Sequence, residues 1–500
     1  MSKPSLIIIG AGLAGLSAGV YARMRGYPAR IIEHQSHPGG VAQTWRRGEY
    51  LFDGGIHFIM GHRPGHPLHG LYRDLGVIPG TGMITLATYG RFVDEQRGRG
   101  MTVTRDLDRL VAQVSDASPD DARLMSRLVA GARAIGKAGM EDLGMDGPPE
   151  LAGPLDGLRA LWHMRRVMRW FGGPFGRPVR EWAGRFRDPW VGAMTERLFL
   201  PEVPVWFLMM LLGLLEQGQM GLLAGGSSDF VRPIEERFRA LGGSVLYDAT
   251  VREILVENDR AVGVRLADGG SHRADVVVSA ADGHSTVFEL LGGRYVDKAT
   301  RRRFETWPVF RPVVMISLGI ARTFADEPWL SLIVLERPIR IGGREVHDLS
   351  LRLFNYSDRF APAGRTAVQV LIETEWEYWE DLARDRPRYD AEKQRIAAEV
   401  VNRLEVHYPG IAASVEETDI ATPHTLWRYT RNYRGAYEGW LPTPKAIMTP
   451  VRRTLPGLAG FYMAGQWVIP GGGVPPCLHS GRQVVQLLEA REGKAATSRG

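Results

Sequence analysis

The most constraining stretch stands near the start, where the apolar run Leu6-Ile7-Ile8-Ile9 passes directly into Gly10-Ala11-Gly12-Leu13-Ala14-Gly15. A short buried strand that ends in GxGxxG commits the chain to a strand, a glycine turn and a helix, the first unit of a doubly wound parallel sheet. Gly10 permits the tight turn, Gly12 lets backbone approach a pyrophosphate, and Gly15 lets the helix pack on the strand. The helix expected over Leu13 to Arg25 aims its N-terminal amides and positive dipole end at the phosphates. A second strand, Ala29 to Ile32, delivers Glu33, 18 residues after Gly15, close to the spacing of a carboxylate that holds a ribose hydroxyl. A doubly wound domain without nucleotide is the alternative, and the register of strand, turn, helix and acid speaks against it.

Composition removes several other classes. The chain has 500 residues, 44% hydrophobic and 24% charged, enough for a large core and far from the composition of disorder. Lys and Arg outnumber Asp and Glu by 62 to 56, and six of the cations are lysines. So small an excess, with no nucleic-acid motif beside it, argues against a DNA or RNA partner. The single cysteine, Cys477, forms neither an internal disulfide nor a thiolate cluster, so a reducing, cytoplasmic compartment is expected. The N-terminal apolar run is too short for a signal-peptide core. The longest apolar stretch, Val203 to Leu215, is 13 residues, short of the ~20 of a spanning helix. It reads as a buried or an interfacial helix.

Past Glu33 and His34 come Gly39-Gly40-Val41 and then Phe52-Asp53-Gly54-Gly55-Ile56-His57. Here the chain resembles the FAD-dependent phytoene desaturase, carotenoid isomerase and retinol saturase family, with the fold of the amine oxidase superfamily. That family continues the FAD site with a second glycine pair, usually followed by Arg, where this chain has Val41. Gly54 and Gly55 permit the close backbone approach that a flat ring system requires. Near the C-terminus, Gly460-Phe461-Tyr462-Met463-Ala464-Gly465-Gln466 is an apolar strand ending in glycine, and Pro470-Gly471-Gly472-Gly473-Val474 opens a helix containing Ser480. A glycine-lined helix start can stabilise negative charge on a reduced flavin. The spacing is similar to the desaturase C-terminal signature, apart from Gln466, Trp467, Val468 and Ile469, and Gly465-Gln466 looks like the saturase branch. The resemblance implies FAD bound by Gly10, Gly12, Leu13, Ala14, Gly15, Glu33, His34, Gly39, Gly40, Val41, Gly54, Gly55, Ile56, His57, Val251, Ala280, Ala281, Gly465, Gln466, Gly473 and Val474. His57, within the ring-facing phrase, and Tyr437 and Glu438, within Arg434-Gly435-Ala436-Tyr437-Glu438-Gly439-Trp440, are the candidate catalytic residues.

The expected fold class is α/β: a discontinuous Rossmann-type FAD-binding domain with an inserted α+β substrate domain and a helical, membrane-contacting region. The FAD domain is expected over 1–82, 222–288 and 450–490, the mostly helical insertion over 83–221, the substrate domain over 289–449 and a disordered tail over 491–500. In the second FAD segment a helix from Phe230 to Ala240 precedes strands Val245 to Tyr247, Val251 to Val256, Ala261 to Leu266 and Asp275 to Ser279, expected to form a meander. The substrate domain should contain strands Pro312 to Ile320 and Ala367 to Thr374 and a helix Ala391 to Tyr408.

Two other patterns invite functional readings. His62 and His66 have i, i+4 spacing, but Pro64, Gly65 and Pro67 oppose the helix that would bring them together, so no metal is expected. From Arg159 to Arg187 there are eight arginines and one acid, Glu181, interspersed with Trp162, Trp170 and Trp182. A helix over Leu158 to Phe171 with Leu161, Met164, Met168 and Phe171 on one face suits the inner face of an anionic membrane, while packing on the core is the plainer alternative. The activity implied by resemblance is carotenoid-type desaturation of a polyene or isoprenoid lipid, with hydride passing to flavin N5. Saturation or cis-trans isomerisation with reduced FAD is the alternative, followed by an amine oxidase or a non-catalytic prenyl-lipid binder. No oligomeric state is implied.

Overall fold

The computed structural model describes residues 3–138, 145–153, 162, 164, 165 and 167–497. Three distant stretches of chain build one five-stranded parallel sheet, in the order Ser244–Leu246, Ala29–Ile32, Leu6–Ile9, Val276–Ser279, Phe461–Met463. The central strand Leu6–Ile9 is buried along its whole length, as a strand covered on both faces must be. Helices Leu13–Met24, Ser227–Ala240 and Val474–Thr497 cover one face, sharing a core with Ile8, Ile31 and Val278. The opposite face packs on the three-stranded meander Val251–Glu257, Arg260–Leu266, Ser271–Arg273. The expected meander is thus corrected at both ends: Ser244–Leu246 and Val276–Ser279 belong to the parallel sheet, and a third short strand follows the Gly269-Gly270 turn.

A second sheet of seven strands lies across the site. Its order is Val415–Ala421, Val313–Ile320, Thr366–Glu373, Arg344–Leu353, Leu330–Ile341, Thr88–Asp94, Arg99–Thr104. The long hairpin Leu330–Ile341 and Arg344–Leu353 was not expected, because Arg, Glu and His alternate with its apolar residues and dilute the strand signal. The segment 83–221, expected to be mostly helical, supplies the last two strands of this sheet before its helices begin. Helix Arg386–His407 packs on the sheet through Ile396, Val400 and Leu404.

The remaining helices form a cap. Val205–Glu216 is buried on every side, with ten of its residues inaccessible, so the long apolar stretch is a core helix. It crosses Ala122–Lys137 closely, since Gly213 lies against the Ala132 carbonyl with no room for a side chain. Among the described residues no helix is long and apolar enough to cross a membrane. The helix expected over Leu158 to Phe171 falls partly outside the described residues. At its end, Met168–Trp170 is a single 3-10 turn with Val167 and Trp170 buried and Met168 exposed. The C-terminal helix runs to Thr497, into the stretch expected as a disordered tail.

Candidate functional site

A cavity of about 1630 Å3 runs between the carboxyl ends of the parallel strands, the seven-stranded sheet and the cap. It exceeds the roughly 300–1,000 Å3 of an ordinary ligand pocket, leaving room for a dinucleotide and a second ligand. At the nucleotide end, Gly10 adopts a φ of +96° and donates its N–H to Ile32 O at 2.8 Å. Gly12 caps the first helix with no side-chain partner, and its open face leaves the helix amides directed at the cavity. The second glycine pair is pinned to the first: Gly39 donates to Ala11 O at 2.9 Å and Gly40 lies against the Gly12 α-carbon. Glu33, 7% exposed, accepts from the amides of Ala11 (2.6 Å) and Gln35 (2.8 Å), which fixes its carboxylate at the strand end. His34 is held by Thr250 Oγ1 at 2.6 Å and by Arg431 Nε at 3.3 Å.

All but two of the residues expected to bind the cofactor line this cavity: Gly10, Gly12, Leu13, Ala14, Glu33, His34, Gly39, Gly40, Val41, Gly55, Ile56, His57, Val251, Ala280, Ala281, Gly465, Gln466, Gly473 and Val474. Gly15 and Gly54 stand behind the wall. A β-carbon on Gly15 would strike the Gly10 carbonyl, so its role is to let helix meet strand. One on Gly54 would meet the Trp45 ring at 2.8 Å, so Gly54 serves packing against that indole, a correction to the expected ring contact. Val41 borders the cavity in place of an arginine, while Arg431 brings a cation there from another part of the chain.

The C-terminal glycines close the opposite wall. Gly465, φ +105°, donates to Ser480 Oγ at 2.7 Å, and Gly471, Gly472 and Gly473 all take positive φ before the last helix starts at Val474. That helix crosses the first one at Gly481, whose neighbours are the Ala14 carbonyl and the Ala18 amide. Two glycine-opened helix starts therefore face one cavity.

Between them lie the three candidate catalytic residues. The Tyr437 hydroxyl contacts the Gly55 carbonyl and lies 3.0 Å from His57 Nε2, with the two rings stacked at 5.5 Å. The strand-end acid Asp53 anchors this phrase, accepting from the Gly55 amide (3.1 Å) and from Ser227 N and Oγ (3.1 and 2.5 Å), while Ser227 Oγ accepts from Ile56 N at 2.6 Å. Burial, reinforced by the Arg352 charge, holds the His57 imidazole well below its usual value. Burial pushes the Glu438 carboxyl up to about 8 and the Cys477 thiol up to about 12. The Glu438 carboxyl lies against Gly472 at the start of the last helix.

Asp282, next to Ala280-Ala281 in the turn that the resemblance places over the cofactor, was not among the residues expected to bind it. It lines the cavity after Ala280-Ala281, one carboxylate oxygen accepting from Ser285 N at 2.8 Å and the other buried with no partner, and burial raises it to about 6. The Ala-Ala-Asp end of a buried strand was the available signal. His62 and His66 have local partners: His62 bonds Thr85 Oγ1 at 2.9 Å and His66 accepts from Leu68 N at 3.1 Å as a helix cap.

Two helix N-termini with open glycines, a ribose-side glutamate and an unpartnered buried carboxylate oxygen are the donor and acceptor set that a flavin dinucleotide needs. The profile of the family described as flavin containing amine oxidoreductase matches residues 13–488. The chain belongs to this family. Its cofactor is FAD, and it is an FAD-dependent oxidoreductase. It is similar to the chloroplastic prolycopene isomerase of Arabidopsis thaliana, at 23% identity over 99% of this chain and 84% of that protein. It is equally similar to the lycopene-forming phytoene desaturase of a Paracoccus species, at 25% identity over 96% of each. The solved cyclohexylamine oxidase of Brevibacterium oxydans shares the fold, with a TM-score of 0.60, 16% identity, and 98% of this chain and 100% of that one covered.

Within the amine oxidoreductase fold, the rest of the cavity wall is mixed: Arg197, Arg344, His347, Asp348 and Glu373 border it beside a cluster of aromatic and aliphatic side chains. Phe58, Phe199, Leu200, Phe207 and Leu211 form one arm, and Val313, Leu332 and Leu371 of the large sheet form its floor. Among the described residues no lysine lines the cavity.

Proposed function

We propose that this protein oxidises a carbon-carbon bond of a polyene or isoprenoid lipid, in the manner of a carotenoid desaturase. The observation that carries this reading is the pairing of the FAD cradle with an aromatic, apolar arm in one continuous cavity. An arm of that composition takes a hydrocarbon chain by burial alone, at roughly 25 cal/mol per Å2 of apolar surface. The absence of a lysine from the described cavity wall and the phenyl-rich arm disfavour an amine substrate. The intact glycine cradle disfavours a binding protein that has lost FAD.

FAD would be held by the two glycine-opened helix starts, Glu33, His34 and Asp282, and supplies a two-electron centre. The chain itself orients the substrate against that centre and keeps water out. Tyr437 and His57 form a hydrogen-bonded pair with the imidazole unprotonated, and Glu438 holds a proton near neutral pH. The site therefore carries one proton acceptor and one proton donor. Saturation or cis-trans isomerisation with reduced cofactor is a second reading, favoured by Gly465-Gln466 and by the similarity to a prolycopene isomerase.

The domain division proposed from these sheets assigns 1–82, 222–288 and 450–490 to FAD and 289–449 to substrate, with the strands of 88–104 added to the latter. The exposed Trp162 and Met168, with Arg165 over the Trp162 ring and Arg169 over the Trp170 ring, support a proposed contact with the inner face of an anionic membrane, through which a lipid substrate would enter.

An anaerobic visible spectrum before and after adding liposomes loaded with a carotenoid precursor tests the reading. Loss of the oxidised-flavin band with a red-shifted polyene is the expected result. A polyene that changes only with pre-reduced enzyme would replace desaturation by saturation or isomerisation, and a protein that cannot be loaded with FAD would overturn both.

A further inference from the structure

Arg431 reaches the nucleotide end of the cavity from the far side of the sequence, as the residue that ends helix Pro423–Thr430. Its Nε donates to His34 Nε2 at 3.3 Å, a contact between segments 397 positions apart, and its guanidinium lies over the Trp427 indole at 4.7 Å. Among the described residues its side chain makes no other hydrogen bond and meets no carboxylate. The terminal amino groups are therefore free of protein partners, and a planar fork of N–H donors is the geometry that binds phosphate in bidentate fashion. Arg197, Arg344 and Arg434, on the same cavity wall, pair instead with Asp348, Glu375 and Glu377 at 2.8, 3.0 and 3.0 Å, and Arg311 faces Glu373 at 3.9 Å. Among the described arginines that border the cavity, Arg252 alone shares the unpaired state of Arg431.

The surroundings of that fork suit an adenylate. His34 directly follows Glu33, the acid at the ribose-binding position, and Thr250 directly precedes Val251 on the cavity wall. His34 Nδ1 bonds Thr250 Oγ1 at 2.6 Å; since Nε2 accepts from Arg431, the ring carries its proton on Nδ1 and both nitrogens are committed. The Gly12 helix start brings backbone N–H groups to an anion here, and Val41, after the second glycine pair, adds no charge. The backbone of Arg431 is a further sign. It is the left-handed C-cap of its helix, at φ +58° and ψ 17°, a place usually held by glycine or asparagine. An arginine kept there costs stability, and such outliers gather at ligand clamps. His34 on one side and Trp427 on another hold the guanidinium before a ligand arrives, so less side-chain freedom is lost on binding.

We propose that Arg431 is a cofactor-binding residue that clamps the adenosine-side phosphate of FAD. The nucleotide half supplies backbone N–H groups, and the segment after helix Pro423–Thr430 supplies the cation. Bound FAD thereby tethers that segment, which leads on to Tyr437 and Glu438, to the first strand-turn-helix unit. The clamp is independent of which substrate the enzyme oxidises, and its test needs no turnover.

Release of FAD from the diluted full-length holoprotein is followed by the return of flavin fluorescence, and the resulting apoprotein is titrated with FAD and with FMN. The decisive variant is Arg431→Gly, because glycine accepts the left-handed backbone and relieves it, so loss of the fold is not expected. The variant apoprotein should melt at or above the wild-type temperature. FAD should bind it at least about tenfold more weakly, the scale of a charge-assisted hydrogen bond, and leave it correspondingly faster. FMN, which has no adenosine-side phosphate, should bind both proteins equally. Arg252→Met removes an equal charge from the cavity wall and should change FAD binding much less. Amide hydrogen exchange over residues 423–437 should slow on adding FAD to the wild type and not to Arg431→Gly. Unchanged FAD binding in folded Arg431→Gly overturns the proposal, as does FMN weakened as much as FAD. Equal losses in Arg252→Met and Arg431→Gly would reduce the effect to the general field of the cavity and overturn it as well.

Discussion

The nucleotide half and the substrate half of the molecule meet along one cavity, and they are built by different rules. In the nucleotide half, the positions that matter are glycines whose α-hydrogens touch other backbone: Gly15 on the Gly10 carbonyl, Gly481 on Ala14 and Ala18. In the substrate half, the corresponding work is done by side-chain volume, with a cap core of Leu, Met and Trp residues and a sheet floor of Val, Ile and Leu. Backbone contact tolerates no substitute, whereas packed volume admits many. The first half should therefore fail abruptly on a single added methyl, and the second should respond by degrees.

Gly15→Val gives the sharpest form of that contrast and the largest effect. The new β-carbon would meet the Gly10 carbonyl and the Ala280 side chain, neither of which can yield without parting the first helix from the central strand. Overpacking of this kind costs about 1–3 kcal/mol, and more where backbone must move. The expected outcome is protein without a flavin band and with a markedly lower Tm. A Gly15→Val variant that retains stoichiometric FAD would show that the helix can shift, and would remove the basis of the comparison.

This difference also explains what could be read in advance. Strands Leu6–Ile9 and Ala29–Ile32 appear at the expected positions, as do Glu33 and both glycine-opened helices, because each rests on a local residue pattern with a stereochemical cause. The hairpin Leu330–Ile341 and Arg344–Leu353 was not legible, because its polar residues face cavity, cap and solvent in turn and blur the alternation. Arg352 was hidden for the same reason. Nothing in the local sequence distinguishes a buried arginine from an exposed one, and the partner that receives the Arg352 guanidinium, Gln369, stands on the neighbouring strand. Gly54 misled in the opposite direction: in sequence it belongs to a ring-facing phrase, and in space the Trp45 indole occupies its open side.

A graded response is expected from Phe207→Ala in the substrate half. Phe207 borders the apolar arm and stacks on Phe199 with ring centres 5.7 Å apart. Removing the ring forfeits about 1.5–3 kcal/mol of apolar burial if a hydrocarbon chain lies against it. KM for a long polyene should rise by roughly tenfold or more on that basis, while flavin content stays at the wild-type level. Loss of flavin in this variant would mean that the cap supports the nucleotide half directly. An unchanged KM would move the substrate out of this arm.

The smallest effect is expected where the two halves touch. Glu438 lies against Gly472, so its carboxyl faces the start of the nucleotide half's last helix from the substrate side. Burial raises it to about 8, so the folded protein holds the proton well above the pH at which the unfolded chain would release it. The sign follows from linkage: the raised value favours the folded state below the ordinary carboxyl range, and that contribution is lost as pH climbs toward 8. Above that point an anion appears beside the cofactor cradle, which disfavours the reduced, more negative state of the flavin. Glu438→Gln has the shape of the protonated acid. At pH 7 it should resemble the wild type in spectrum but be the more stable of the two, because the wild type loses stability from the ordinary carboxyl range up to about pH 8. Near pH 8 it should lack the inflection in reduction potential that the wild type shows. Potentiometric titration of both proteins across that range measures the difference. Superimposable curves would place the Glu438 ionisation elsewhere and leave the seam between the halves without a titrating group.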